Sequence, residues 1–128
     1  KIEIIELPEE RLPESPSPAQ VEAALAREAE TIRGKLPASA LLVAMCVEGK
    51  LLSSEELSDF LARRAAQGAS HVVFVIGGSF GLHSSIKERA ELRLSMSPMT
   101  FPHHLARVMV LEQIYRACQI AAGTKYHK

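Results

Sequence analysis

Three places in this 128-residue chain gather side chains capable of acid, base or ligand chemistry. The first is the end, where Tyr126, His127 and Lys128 set a phenol, an imidazole and an amine side by side. Chain ends fray into solvent unless something holds them, so this tail is either idle or the edge of an active site. The second is the turn Gly77-Gly78-Ser79-Phe80-Gly81, which follows directly on an apolar run. Glycine lets a backbone approach a ligand closely, and it also serves any tight strand–helix turn. The third is Pro102-His103-His104, with Arg107 one helical turn beyond His103 on the same face.

Each place has a chemical reading and a plainer one. The glycine turn lacks both the GxGxxG dinucleotide fingerprint and the GK[ST] of a P-loop. It does fit G-x-S-x-G through Gly77, Ser79 and Gly81, the nucleophile elbow of α/β hydrolases, with the chain's five histidines as nominal bases. That match is short, the chain is small for the hydrolase fold, and no oxyanion-loop HGG segment is present, so a serine hydrolase ranks last. His103 and His104 are helical neighbours pointing about 100° apart. They do not chelate one ion as an i, i+4 pair would, and no metal is expected. Met45, Met96 and Met99 suit the packing of an adenine, although methionine is commonly a gap filler.

Composition narrows the field. Lys and Arg (15) balance Asp and Glu (15), with a pI near 7.1. A domain that holds bare duplex by neutralising phosphates is usually strongly basic, so that function is disfavoured while a local basic patch is not. With 47% apolar residues the chain can bury a core without staples. Cys46 and Cys118 lie in apolar stretches with no CxxC, which reads as buried thiols in a reducing, cytoplasmic compartment. No run approaches the length of a membrane span, and no signal peptide opens the chain.

The elements that must position these groups alternate. Ile2, Ile4 and Ile5 predict a short strand, followed by a Pro/Glu/Ser-rich loop from Pro8 to Pro18. Ser17, Pro18 and Gln20 read as an N-cap, first-turn proline and capping box for a helix ending near Gly34, with Val21, Leu25 and Ile32 on one side. Ala40–Val47 and His71–Ile76 read as strands buried on both faces. Ser53-Ser54-Glu55-Glu56 caps a helix that turns Leu57, Phe60 and Leu61 inward and stops at Gly68. Ser85 with Glu88 predicts a short helix through about Arg93. A last helix from about Phe101 to Ala121 carries a wide apolar surface of Leu105, Val108, Met109, Leu111, Ile114 and Cys118. This is an α/β domain over residues 1–128 with a mostly parallel sheet, whose ligand crevice lies beyond the carboxyl ends of the strands.

VFVIGGSFG, then LSMSPMTFPHHLAR, then LEQIYRACQI and a terminal YHK, in this order, resemble one family. They are similar to the bacterial 23S rRNA pseudouridine N3-methyltransferases of the SPOUT superfamily (the ribosomal RNA large subunit methyltransferase H family). The resemblance covers essentially the whole chain from KIEIIEL onward. It implies a C-terminal trefoil knot, a rare exception to ordinary chain topology, and a homodimer whose interface includes the last helix. It implies S-adenosyl-L-methionine bound by Met45, Gly77, Gly78 and the loop Ser97-Pro98-Met99-Thr100-Phe101-Pro102. The substrate it implies is a pseudouridine in a 23S rRNA stem-loop on the assembled ribosome, reached by splaying the base from its stack.

Within that expectation, His127, His103 or another tail group accepts the N3 proton, and Tyr126 belongs to the same catalytic tail. Arg107 or Arg116 neutralises charge on base or phosphate, and Lys128 contacts the substrate. A non-catalytic cofactor- or RNA-binding member of the same fold is the alternative. The chain departs from the family in having Lys125 where a proline usually precedes the terminal Tyr-His. The family's upstream strand and helix are also expected to be lacking.

Overall fold

The computed structural model describes residues 2–128. Its elements run α1 (Pro18–Lys35), β1 (Leu41–Leu51), α2 (Ser54–Ala66), β2 (Val72–Ile76), α3 (Ser84–Arg89), β3 (Leu92–Ser95) and α4 (His103–Ala121). The three strands form one parallel sheet in the order β2-β1-β3. The expected α/β class with a parallel sheet is therefore present.

β1 is central because its first residues are apolar on both faces. Leu42 and Ala44 point to one side, where they pack with Ala29 of α1 and with Leu82, Ile86 and Ala90 around α3. Val43 points to the other, against Leu57 of α2 and Leu94 of β3, with Phe60 and Phe74 closing around them. Leu42, Val43 and Ile86 are fully buried, each such side chain contributing about 1.5–3 kcal/mol by leaving water. The helices that cover these faces start where the capping boxes predict. Ser17 and Gln20 exchange bonds of 3.2 and 2.8 Å, and Ser53 and Glu56 exchange bonds of 3.0 and 2.7 Å. Gly68, at φ +103°, stops α2 in a conformation that side chains resist.

Helix α4 packs against α2. Ser54 donates to the Gln113 side chain at 2.6 Å, and buried Ser58 donates to the Ala117 carbonyl at 2.9 Å. The opposite side of α4 leaves Leu105, Val108 and Tyr115 about half exposed. Among the described residues no helix is long and apolar enough to cross a membrane.

Beyond Met45, β1 breaks register: Met45 and Lys50 both face Leu94 of β3, and Cys46–Gly49 carry no pairing to either neighbour. Gly49 closes this excursion, since a Cβ there would sit 2.8 Å from the Arg93 backbone.

Several expectations are corrected. Ile2, Ile4 and Ile5 form no strand and are more than half exposed. Their alternation is strand-like, but a strand needs a ladder, and neither sheet edge receives this segment. Lys1 lies outside the described residues. The third helix stops at Arg89, and Leu92–Ser95 is a strand. Its N-cap is His83, whose Nδ1 accepts the Ser85 N–H at 3.1 Å, so Ser85 is not the cap. α4 begins at His103, because a residue before proline, here Phe101, is pushed out of helical backbone. Strand β2 is half-buried at the sheet edge and not buried on both faces. In α1 the deepest residues are Ala24 and Ala29, while Val21, Leu25 and Ile32 are half-buried. Neither cysteine is buried: Cys118 is exposed and Cys46 is intermediate. The partial burial of Cys46 still pushes its thiol pKa up.

Candidate functional site

β2 and β3 deliver their carboxyl ends to one side, where β1 contributes the stretch at its register break. β1 supplies Met45–Glu48, β2 passes into the glycine turn, and β3 runs into Met96–Pro102. These segments and the first turn of α4 enclose a cleft of ≈ 710 Å³, within the range of about 300–1,000 Å³ typical of small-molecule sites. Of the nine expected cofactor residues, Met45, Gly77, Gly78, Ser97, Met99, Thr100, Phe101 and Pro102 line it, and Pro98 does not. His103 also lines it.

The turn is built to be tight. A Cβ on Gly77 would lie 2.5 Å from the Gly81 backbone, so glycine is required there for the chain to close on itself. Gly81, at φ +82°, turns the chain into α3. The opposite wall is folded by its own serines: Ser95 donates to the Ser97 carbonyl at 2.9 Å, and Ser97 accepts the Met99 N–H at 3.0 Å.

The structure adds residues that sequence reasoning missed. Glu48 and Lys87 meet at 2.6 Å on the cleft wall, and the Lys87 bond holds the Glu48 carboxyl below its usual range. They come from β1 and α3, and nothing in either local sequence signals the encounter. A second concavity of ≈ 670 Å³ lies between the end of β1 and α2, but Glu48, Glu56, Asp59, Glu91, Lys50, Arg63 and Arg93 dominate its lining. Leu52, Phe60 and Leu92 are its only apolar side chains, so burying a ring system there would desolvate more charge than in the first cleft.

The tail is not frayed, and it is not at this cleft. His127 accepts from Arg116 at Nδ1 (3.0 Å), and its Nε2 lies 3.0 Å from Glu55. A guanidinium only donates, so Nδ1 is the acceptor and the ring proton sits on Nε2, donating to Glu55. Tyr126 donates to Glu112 at 2.9 Å, stacks edge-on against Tyr115, and lies beneath Arg116, which also pairs with Glu112 at 2.7 Å. The hydrogen bond to Glu112 raises the phenol pKa, and bonds from Arg116 and then Tyr126 lower that of Glu112. Lys128 is exposed. Arg116 lies 13 residues along α4 from His103, roughly 20 Å at the helical rise. The candidate catalytic residues therefore separate: His103 is at the cleft, Arg107 is on α4 off its lining, and Tyr126 and His127 lie with the substrate candidate Arg116 at the far end of α4.

Arg107 does not line the cleft. Its guanidinium pairs with Glu6 at 3.4 Å. The rings of His103 and His104 stack tilted, 4.3 Å between centroids. Ser79 is not strained as an elbow nucleophile would be, since among the described residues only glycines have positive φ. The nearest histidine in sequence, His83, is committed to Ser85 and Glu22 at 2.7 and 2.5 Å.

The family model described as "Predicted SPOUT methyltransferase" matches residues 1–127. The chain belongs to the SPOUT methyltransferase family. It is accordingly a methyltransferase, of a family that generally draws its methyl group from S-adenosylmethionine. The SPOUT chain places eight of its nine expected cofactor residues on one cleft, whose apolar walls (Met45, Ile76, Leu94, Phe101) and close glycine backbone suit an adenosyl group.

Proposed function

We propose that this protein methylates N3 of a pseudouridine in a 23S rRNA stem-loop on the assembled ribosome, acting in the cytoplasm as a knotted homodimer. The convergence of the ends of β2 and β3 and the register break of β1 on one cleft supports this reading most directly. Bound there, S-adenosylmethionine supplies an already activated methyl on a sulfonium. The protein's part is then alignment, and holding donor and acceptor in attack geometry can remove about 7–11 kcal/mol of barrier.

Among the described residues His103 is the one imidazole at the cleft of its own chain. The tail of the same chain is anchored about 20 Å away along α4, beside the half-exposed apolar face of Leu105, Val108 and Tyr115. In a dimer formed on that face, the tail of one protomer completes the site of the other. His127 is poised to work there as a base through Nδ1, once Arg116 turns from that nitrogen to the charge on the substrate. Glu55 holds the Nε2 proton throughout and favours the imidazolium that follows. Lys128, exposed beside it, is available to a phosphate.

The reading is tested by calorimetric titration of S-adenosylmethionine followed by transfer of labelled methyl to ribosomes. Binding at the cleft with transfer to one pseudouridine is expected. Binding without any transfer would leave a non-catalytic SPOUT protein. No binding by folded protein would remove the cofactor assignment.

A further inference from the structure

The segment before α1 makes three polar anchorages in chain order. Glu6 pairs with Arg107 at 3.4 Å, Glu9 accepts the Ser79 N–H at 2.9 Å, and Glu10 pairs with Arg27 of α1 at 2.7 Å. The Glu10 N–H also donates to Glu28 at 2.8 Å. The segment buries little, for Ile2, Ile4 and Ile5 stay exposed, and Pro8, Pro13 and Pro16 prevent a regular ladder. What holds it at the glycine turn and the start of α4 is carboxylate on donor.

Two of those donors border the cleft. Ser79 lies on the lining itself, and Arg107 follows Ala106, which also lines it. Each holds a carboxylate, so each is demonstrably open to an anion. The backbones of Glu6 and Glu9 are at most about 11 Å apart along an extended chain, a limit that admits phosphates one or two steps apart on one RNA strand. The exposed Glu6–Arg107 ion pair contributes little net stability, so a competing anion displaces it readily. The turn also accommodates the exchange: the space where Gly78 would carry a Cβ is filled by the Glu9 carboxylate, the movable end of a flexible side chain.

We infer that the Ser79 N–H and the Arg107 guanidinium form a phosphodiester-binding pair on the cleft rim. Glu9 and Glu6 occupy it in the free protein, and the RNA backbone displaces them. This rests on the methyl-transfer reading of the cleft. It adds a docking site for the strand and a reason for an acidic segment in a protein that binds RNA. The cofactor's own carboxylate is the other anion that could claim Ser79, and the test separates the two.

The unsubstituted protein and the double variant Glu6→Ala/Glu9→Ala are compared for binding of a short oligouridylate at low salt, by fluorescence anisotropy. A second double variant, Glu3→Ala/Glu14→Ala, removes equal charge outside the three anchors. Several-fold tighter RNA binding is expected in the first variant only, with the gain abolished by adding Arg107→Ala. Equal tightening in both variants would reduce the effect to net charge and overturn the inference. So would unchanged or undetectable RNA binding in every variant. Tighter S-adenosylmethionine binding with no change toward RNA would give Ser79 to the cofactor and overturn the phosphate assignment. Calorimetry on the same proteins keeps the readings apart: loss of all cofactor binding with the RNA gain intact would sink the methyltransferase cleft alone.

Discussion

Arg116 donates to Nδ1 of His127 across 3.0 Å, so the ring accepts on that nitrogen and its Nε2–H points at Glu55. A residue held on both ring nitrogens by groups from α4 and α2 is a positioned one. It is presented on a surface that its own cleft does not reach.

Removing Tyr126–Lys128 is expected to abolish methyl transfer while leaving S-adenosylmethionine binding and the circular dichroism spectrum unchanged. The hydrogen bonds that go with these three residues lie on exposed or half-exposed surface, away from the two core clusters. Full-rate transfer by the truncated protein would show that the tail has no part in the reaction.

The same hydrogen bonds set a pH dependence. Glu55 is lowered by the bond from His127, and Glu112 by bonds from Arg116 and then Tyr126. A carboxyl lowered on folding stabilises the docked tail above its ordinary pKa of about 4.3. That contribution disappears as the pH falls through the depressed value. The Tyr126 phenol is raised, so its contribution holds below its ordinary pKa of about 10 and disappears as the pH rises through the raised value. Tyrosine fluorescence is expected to report release of the carboxylate bonds only on acidification below the ordinary carboxylate range. Release well above that range would show that these pairs do not hold the tail.

Two adjacent glycines should respond differently. Gly77→Ala drives a Cβ into the Gly81 backbone, and overpacking of this kind costs about 1–3 kcal/mol. It should also deform the cleft enough to remove cofactor binding. Gly78→Ala meets only the movable end of Glu9 and is expected to leave the melting temperature nearly unchanged. Thermal melts of the two variants decide this, and equal losses would refute it.

Leu42 is fully buried in the middle of the central strand. Leu42→Ala should cost about 2–5 kcal/mol in urea unfolding, and Ser53→Ala about 1 kcal/mol through loss of its cap. A Leu42→Ala cost below that of the cap variant would mean that the β1 core is not what holds the sheet together.

Much of the frame was legible in the residues. ALLVAMCV is apolar without a break, and a strand of that kind must lie inside a sheet. Ser17 with Gln20, and Ser53 with Glu56, marked helix starts that the backbone follows. Strand β3 was not legible, because four residues with Arg93 pointing outward carry too little pattern to outweigh a helical neighbour. KIEIIEL shows the opposite failure: its alternation is clear, but pairing depends on an edge that the local sequence does not specify. Most cofactor residues follow from the resemblance alone, and the ends of β2 and β3 with the register break of β1 gather them on one cleft. The mooring of the tail was invisible for a different reason. His127 reaches a carboxylate 72 residues away in sequence and Tyr126 one 14 residues away, and no local rule reaches across such separations.

The break in register after Met45 leaves Cys46, Val47 and Glu48 beside the cleft without ladder partners. Whatever their peptide groups offer a ligand survives any exchange of their side chains. A mutational screen of this wall would therefore score Cys46 and Val47 as permissive, whereas Glu48 also carries the side-chain bond to Lys87. It would register its largest damage at Gly49, where the excursion is pinned against β3.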